Sequence, residues 1–286
     1  MAVTFNNLPL SLKAINKLNS ATSRINSTFE KLSSGQRINR AADDAAALAV
    51  AEQLRADARI TTLAIRNAND GISLTSIADS ALSEIGNMLT RMGELAEQSA
   101  NGVYTNTQRS ALASEFNALG SEIERIAVNA EFNTLKLLSG GADVTLQVGI
   151  SGDANSRIIL QGIEGTLQSL DLANTGSSAL KYSIIGTTTA YSQAAATNAL
   201  DAINNAIDTL TSSRGVLGSA ESRLNSAINN LSMARENLVA AESRIRDIDV
   251  AEETANLTRF AILQQSATAM AAQANLQPQL VLRLLN

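Results

Sequence analysis

The sequence predicts a mainly α fold: a long antiparallel helical bundle or coiled-coil rod, with a small β-hairpin region and terminal helices that pair on assembly. Three observations carry this. Ile203, Leu210, Leu217, Leu224, Leu231, Leu238 and Ile245 recur every seventh residue without exception, the period of a helix-on-helix seam. A continuous helix over that run is about 63 Å long at its standard rise, so it needs a partner of similar length. The composition is 45% hydrophobic and only 3% aromatic, with no Trp, which suits narrow seams of Ala, Leu and Ile better than a globular core. Finally, both ends of the chain carry apolar residues at three- and four-residue steps. Four positions after successive seam residues come Ile207, Arg214, Glu221, Ile228, Arg235 and Glu242, so one flank of the seam is expected to be wet.

The first arm places Leu8, Leu12, Ile15, Leu18, Thr22, Ile25, Phe29 and Leu32 on one helical stripe that Gly35 closes. Leu8, Leu12, Ile15, Ile25 and Phe29 are its packing candidates. Its other face carries Lys13, Lys17, Arg24 and Lys31, which taken alone reads as a solvated face. A second helix starts near Asn39 or Asp43, with Asn39 a cap and Asp43 and Asp44 on the positive end of the dipole. Capping suits these paired aspartates better than acid/base chemistry, since nothing titratable nearby separates their pKa values. Its stripe runs through Ala51, Leu54, Ala58, Ile65 and Ala68, then after Gly71 through Leu74, Ile77, Ala81, Ile85, Met88, Met92 and Leu95. This is the long partner that the heptad helix requires.

Asn101-Gly102 breaks the pattern, and Leu112, Phe116, Leu119, Ile123 and Ile126 predict an antiparallel return helix. Helical periodicity stops at Gly140-Gly141. Val144 to Ile150 alternate, 151–155 read as a turn and 158–160 as a returning strand. From 162 to 192 the Gly, Ser and Thr content predicts an irregular exposed loop. A junction at 246–249 separates the heptad helix from a last arm, whose Leu276, Leu280 and Leu284 join the packing candidates and whose Pro278 predicts a kink or break. The acidic start of this arm (Asp247, Asp249, Glu252, Glu253) suggests an electrostatic partner for the basic first arm. The divisions expected are 1–42, 43–139, 140–191, 192–248 and 249–286.

Composition also excludes chemistry. There is no Cys and no His, which removes thiol and Ser-His nucleophiles, imidazole metal sites and the commonest general base. No enzyme activity, metal or cofactor is expected. The net charge of −5 and pI near 4.9 argue against nucleic acid. No apolar run of membrane-spanning or signal-peptide length is present, so no membrane partner is expected, and any export is expected to use a route without a cleaved signal peptide.

Four blocks, LSSGQRINRAADDAAALAVAEQLR (32–55), RNANDGIS (66–73), ELAEQSANG (94–102) and SRIRDIDVAEETANLTRFAILQQSATAMAAQAN (243–275), resemble the two ends of bacterial flagellins. The resemblance covers roughly residues 1–140 and 190–286 and implies a structural subunit that polymerises into the extracellular flagellar filament for motility. In that reading 1–42 and 249–286 are arms pairing in the filament's inner tube, 43–139 and 192–248 form the helical shell, and 140–191 holds the hairpin and exposed loops. The interval between the matched ends is about 50 residues, as in a minimal flagellin lacking large variable outer domains. Implied partners are the chain itself, the flagellar type III export apparatus, a secretion chaperone, and filament cap and hook-junction proteins.

Self-assembly is also expected without the resemblance. Two amphipathic arms alone bury too little to offset the cost of ordering them, and a repeated head-to-tail contact that does not close gives a filament. The competing readings are a hook-filament junction protein, a secreted coiled-coil effector or adhesin, and a di-metal bundle enzyme. The last needs His, and none is present. The family also implies a possible host Toll-like receptor patch, which maps here to Arg91, Leu95 and Glu115. Without the resemblance, those three residues read as ordinary structure. Gly93 stands where many receptor-active relatives carry a long basic side chain.

Overall fold

The computed structural model describes the backbone of residues 8–285, and the side chains of 12–274 other than 189, together with 276. The elements are α1 (Leu8–Ser34), α2 (Ala45–Ala100), α3 (Asn106–Asn129), β1 (Glu131–Phe132), β2 (Leu135–Lys136), β3 (Val144–Gln147), β4 (Arg157–Leu160), α4 (Thr189–Arg246) and α5 (Val250–Leu285). They form two compact units, one of residues 1–58 with 236–286 and the other of 59–235.

Local chemistry sets most boundaries. Gly35 ends α1 at φ +68°, a left-handed conformation that glycine adopts without penalty. Asn39 does not cap α2. Asp44 does so, its Oδ1 accepting from the Ala47 N–H at 2.9 Å, while Asp43 Oδ2 accepts from the N–H groups of Arg40 (3.0 Å) and Asn39 (3.2 Å). Those bonds, that to Arg40 first, hold the Asp43 carboxyl below its ordinary pKa. Thr105 and Gln108 form a reciprocal capping box at the start of α3. The break expected at Pro278 is absent, since α5 is continuous across it.

In the unit of 59–235 the core is shared by α2, α3 and α4. Ile203, Leu210, Leu217 and Leu224 of the heptad are buried, and Leu231 is half-buried. The second seam position differs from expectation. It lies three residues after each heptad member rather than four, and it is small: Ala199, Ala206 and Ala220 are buried there, with Ser213 and Ala227 half-buried. Arg214, on the expected position, instead reaches across to Asp79 at 2.7 Å.

The stripe on α2 is likewise rotated. Leu74, Ala78, Leu82, Ile85, Leu89, Met92 and Leu95 are buried, whereas Ile77 is exposed and Ala81 and Met88 only partly covered. Gly71 does not interrupt the helix. It is buried where Leu146 of β3 presses in and Leu224 Cδ1 lies 3.2 Å from where a Cβ would stand, so its place in the helix is explained by close approach.

Helical periodicity ends at Asn129, earlier than expected. A two-residue hairpin, β1–β2, follows, with Asn133 and Thr134 at φ 47° and 68°. The predicted hairpin is β3–β4, antiparallel from Val144↔Leu160 to Gln147↔Arg157, and Asn67 Nδ2 of α2 donates to Gln147 O at 3.0 Å.

The segment 162–188 is not an exposed loop. Ile163, Leu167, Leu170, Leu172 and Ile184 are buried in the core of this unit, and Ser99 Oγ of α2 donates to Ile184 O at 2.6 Å. Its apolar residues follow no period because the backbone is folded by turns, including Asp171 at φ 55°.

Candidate assembly surface

In the other unit, α1 and α5 pack on one another along two rows that mix small residues with larger ones. The row on α1 is Ala14, Leu18, Ala21, Ile25, Thr28 and Leu32 and that on α5 is Leu257, Phe260, Gln264, Ala267, Ala271 and Ala274, each of them buried or half-buried. Both rows step by three and four, the spacing of a coiled-coil seam. Gln264 Nε2 donates to Thr22 Oγ1 at 2.9 Å, and the Arg24 guanidinium lies 5.5 Å from the centre of the Phe260 ring, a cation–π distance. Among the described residues, no ion pair joins α1 to α5, so the expected electrostatic pairing of basic and acidic arms is not what holds them.

Three other large apolar residues of α1 are left exposed in the single chain. Leu12 is 52% exposed, Ile15 42% and Phe29 57%, so of the α1 packing candidates with described side chains only Ile25 faces α5. On α5, Val250, Ile262, Leu263, Met270 and Leu276 are exposed as well. The side chains of Leu8, Leu280 and Leu284 lie outside the described residues. Between the helices runs a groove of about 640 Å³, floored by Ala21, Phe260, Ala267 and Met270 and edged by Lys13 and Lys17.

Both helices leave from one point. The Arg37 N–H donates to Arg246 O at 2.6 Å and the Ile248 N–H to Gly35 O at 3.2 Å. Arg37 Nη2 donates to Ile245 O at 2.7 Å, and Arg246 reaches Gln36 Oε1 at 2.9 Å and Glu52 Oε1 at 2.8 Å. Ile38 is buried beneath this junction, and the last heptad members Leu238 and Ile245 are half-buried in the same unit. Gly35, Arg37 and Arg246 thus hold this junction, and periodicity does not single them out. The sequence signal was the junction at 246–249, with Gly35 read as the end of α1.

Two of the three candidate receptor residues come together. Arg91 pairs with Glu115 of α3 at 2.8 Å and with Glu94 at 2.9 Å, and Glu94 first, then Glu115, raise its pKa. Leu95 is 1% exposed and belongs to the core, so it offers no side chain to a surface. A Cβ on Gly93 would stand 3.7 Å from Ile203 and 3.9 Å from Leu200, facing α4.

Comparison with known proteins fixes the family. The description "Bacterial flagellin N-terminal helical region" matches residues 5–143 and "Bacterial flagellin C-terminal helical region" matches 200–285. The flagellin of Halalkalibacterium halodurans is 44% identical over 258 residues, 90% of each chain. The chain belongs to the bacterial flagellins. Among flagellin relatives, the flagellar filament 30.7 kDa core protein of Treponema maltophilum is 38% identical over 272 residues, covering 92% of this chain and 93% of the relative. In fold, a putative flagellar hook-associated protein from Vibrio parahaemolyticus superposes with TM-score 0.58, covering 72% of this chain and all of that one at 14% identity. Among the described residues no helix is long and apolar enough to cross a membrane. The flagellin family is one of structural proteins that form filament homopolymers and associate with other flagellar proteins.

Proposed function

We propose that this chain is the structural subunit of an extracellular bacterial flagellar filament, that it polymerises with itself for motility, and that α1 and α5 supply the polymerisation surface. One observation carries the reading. α1 packs on α5 through Ala14, Leu18, Ala21, Ile25, Thr28 and Leu32 and leaves Leu12, Ile15 and Phe29 uncovered. Large apolar groups left exposed on a paired helix mark a face for a neighbouring subunit to cover. Leu276, Leu280 and Leu284 extend the same role to the end of α5, and the heptad from Ile203 to Ile245 serves as a helix-packing seam. The proposed partners beyond itself are the export apparatus that secretes it without a cleaved signal peptide, a secretion chaperone, and the cap and hook-junction proteins.

Electron microscopy of the purified protein under polymerising conditions tests this reading. Full-length protein is expected to form long tubular filaments, and a variant lacking residues 276–286 to remain monomeric with its helicity kept. Filaments from the truncated variant would overturn it. A hook-filament junction role instead predicts short rings or no polymer from the full chain alone.

For the Toll-like receptor we propose a contact limited to Arg91 and Glu115, with Leu95 supporting them from inside. Arg91 is already engaged by two carboxylates, so binding by monomer is expected to be weak. Surface plasmon resonance with wild type and Arg91→Ala measures it, and undiminished binding by the variant would rule out this patch.

A further inference from the structure

The turn between α2 and α3 holds the chain's one Asn followed by Gly, Asn101-Gly102, and it is built around a buried cation. Arg109 is 0% exposed. Its Nε donates to Ser99 O at 2.8 Å, and its Nη2 donates to the main-chain oxygen of Asn101 at 2.7 Å. The Asn101 carboxamide is folded forward over the next peptide, because its Oδ1 accepts from the Val103 N–H at 3.1 Å. That bond holds the carboxamide on the side of the Gly102 peptide and polarises the Cγ carbonyl. The Gly102 N–H donates to nothing among the described residues, and Gly102 has no Cβ to obstruct the approach. A nucleophile and a polarised carbonyl therefore lie within two residues, in a turn held by the Val103 and Arg109 hydrogen bonds.

We propose that Asn101-Gly102 is a self-modification site, converted to isoaspartate under the direction of Arg109. In the first step the Gly102 nitrogen, losing its proton, bonds to Asn101 Cγ. The Cγ–Nδ2 bond breaks and ammonia leaves, which closes a five-membered succinimide. In the second step water adds to one of the two imide carbonyls. Addition at Cγ reopens the ring to aspartate. Addition at the main-chain carbonyl breaks its bond to the Gly102 nitrogen and leaves a main-chain carboxylate, while the chain continues through Cγ as isoaspartate. The net change is water consumed, ammonia released and one negative charge gained.

Arg109 decides between the two outcomes. Its Nη2 already donates to the main-chain oxygen, so it stabilises the oxyanion that forms when water adds there. The product carboxylate then remains on the same guanidinium as a charge-assisted bond. The Cγ oxygen has only the Val103 N–H, a neutral donor. In an unfolded chain neither carbonyl has such help. The buried arginine thus makes this turn a place where the lengthened backbone of isoaspartate gains a partner as it forms.

The test follows purified full-length protein at mildly alkaline pH and body temperature over days. Tryptic peptides spanning Asn101 are separated, and isoaspartate and aspartate are distinguished by electron-based fragmentation. The samples are folded wild type, wild type in urea, Gly102→Ala and Arg109→Lys. The Ala Cβ would meet only the amide end of the flexible Gln193 side chain, at 2.8 Å, so the Gly102→Ala variant is expected to fold.

Folded wild type is expected to show an isoaspartate-to-aspartate ratio several-fold above that of the urea sample. Gly102→Ala should nearly abolish conversion, and Arg109→Lys should bring the ratio down toward the unfolded value. A folded ratio equal to or below the unfolded one overturns the proposal. So does an Asn101 that stays intact in the folded protein while the unfolded chain converts. If Arg109→Lys does not fold, the comparison of folded and urea samples still decides.

Discussion

Phe29→Ala separates assembly from folding most cleanly. A buried Phe covers roughly 150–250 Å². With Phe29 57% exposed in the single chain, roughly 100 Å² remains for a neighbouring subunit to cover. At about 25 cal/mol per Å² that is roughly 2.5 kcal/mol, of which Ala retains a small part, leaving a loss of about 2 kcal/mol per subunit. A tenfold change in an equilibrium constant corresponds to about 1.4 kcal/mol, so the critical concentration for polymerisation should rise about 30-fold. The fold should be nearly untouched, because the exposed ring contributes little within the monomer and Ala is the better helix former by a few tenths of a kcal/mol. The assay is sedimentation of seeded polymer, reading the concentration left in the supernatant, beside a thermal melt of the monomer. An unchanged critical concentration with an unchanged melt would mean that this face of α1 stays uncovered in the polymer, and the assembly reading of the stripe would fall.

Two further perturbations test the two units separately. Leu224→Ala removes a fully buried heptad side chain and is expected to cost about 2–5 kcal/mol, while Leu231→Ala, half-buried, should cost about half as much; urea denaturation of both variants checks the grading, and equal losses would refute it. Asp43 has its pKa lowered by the Arg40 and Asn39 N–H groups, so its contribution is present above the unfolded-state value and lost as pH falls through the folded one. The melting difference between wild type and Asp43→Asn should therefore appear at neutral pH and close as the pH falls below about 4.

Much of the fold was legible because the period was long and the signal redundant. The heptad on α4 and the run of α2 were readable from large aliphatic residues, and β3–β4 from strict alternation. The failures share one physical cause, which is that hydropathy weighs large side chains while close-packed helices are organised by small ones. On α4 the second row of the seam is Ala199, Ala206 and Ala220, residues that a search for apolar bulk passes over in favour of Ile207 and Ile228. The hairpin β1–β2 was missed because Asn133-Thr134 carries no Gly to announce positive φ. The burial of 162–188 was missed because a segment folded by irregular turns has no period to find.

The same cause explains why the candidate surface was found and its orientation was not. The stripe read on α1 mixed Leu18, Ile25 and Leu32, which face α5, with Leu12, Ile15 and Phe29, which do not. A helix has room for two rows about 100° apart. Against the row on α5, which ends in Ala267, Ala271 and Ala274, the inner row of α1 alternates Leu18, Ile25 and Leu32 with Ala14, Ala21 and Thr28, while Leu12, Ile15 and Phe29 lie outside it. The small members of both rows let the two helices approach closely. On the proposed assembly, the large apolar residues outside the rows are the surface left for other subunits, so pairing within one chain and assembly between chains would draw on different faces of the same helix.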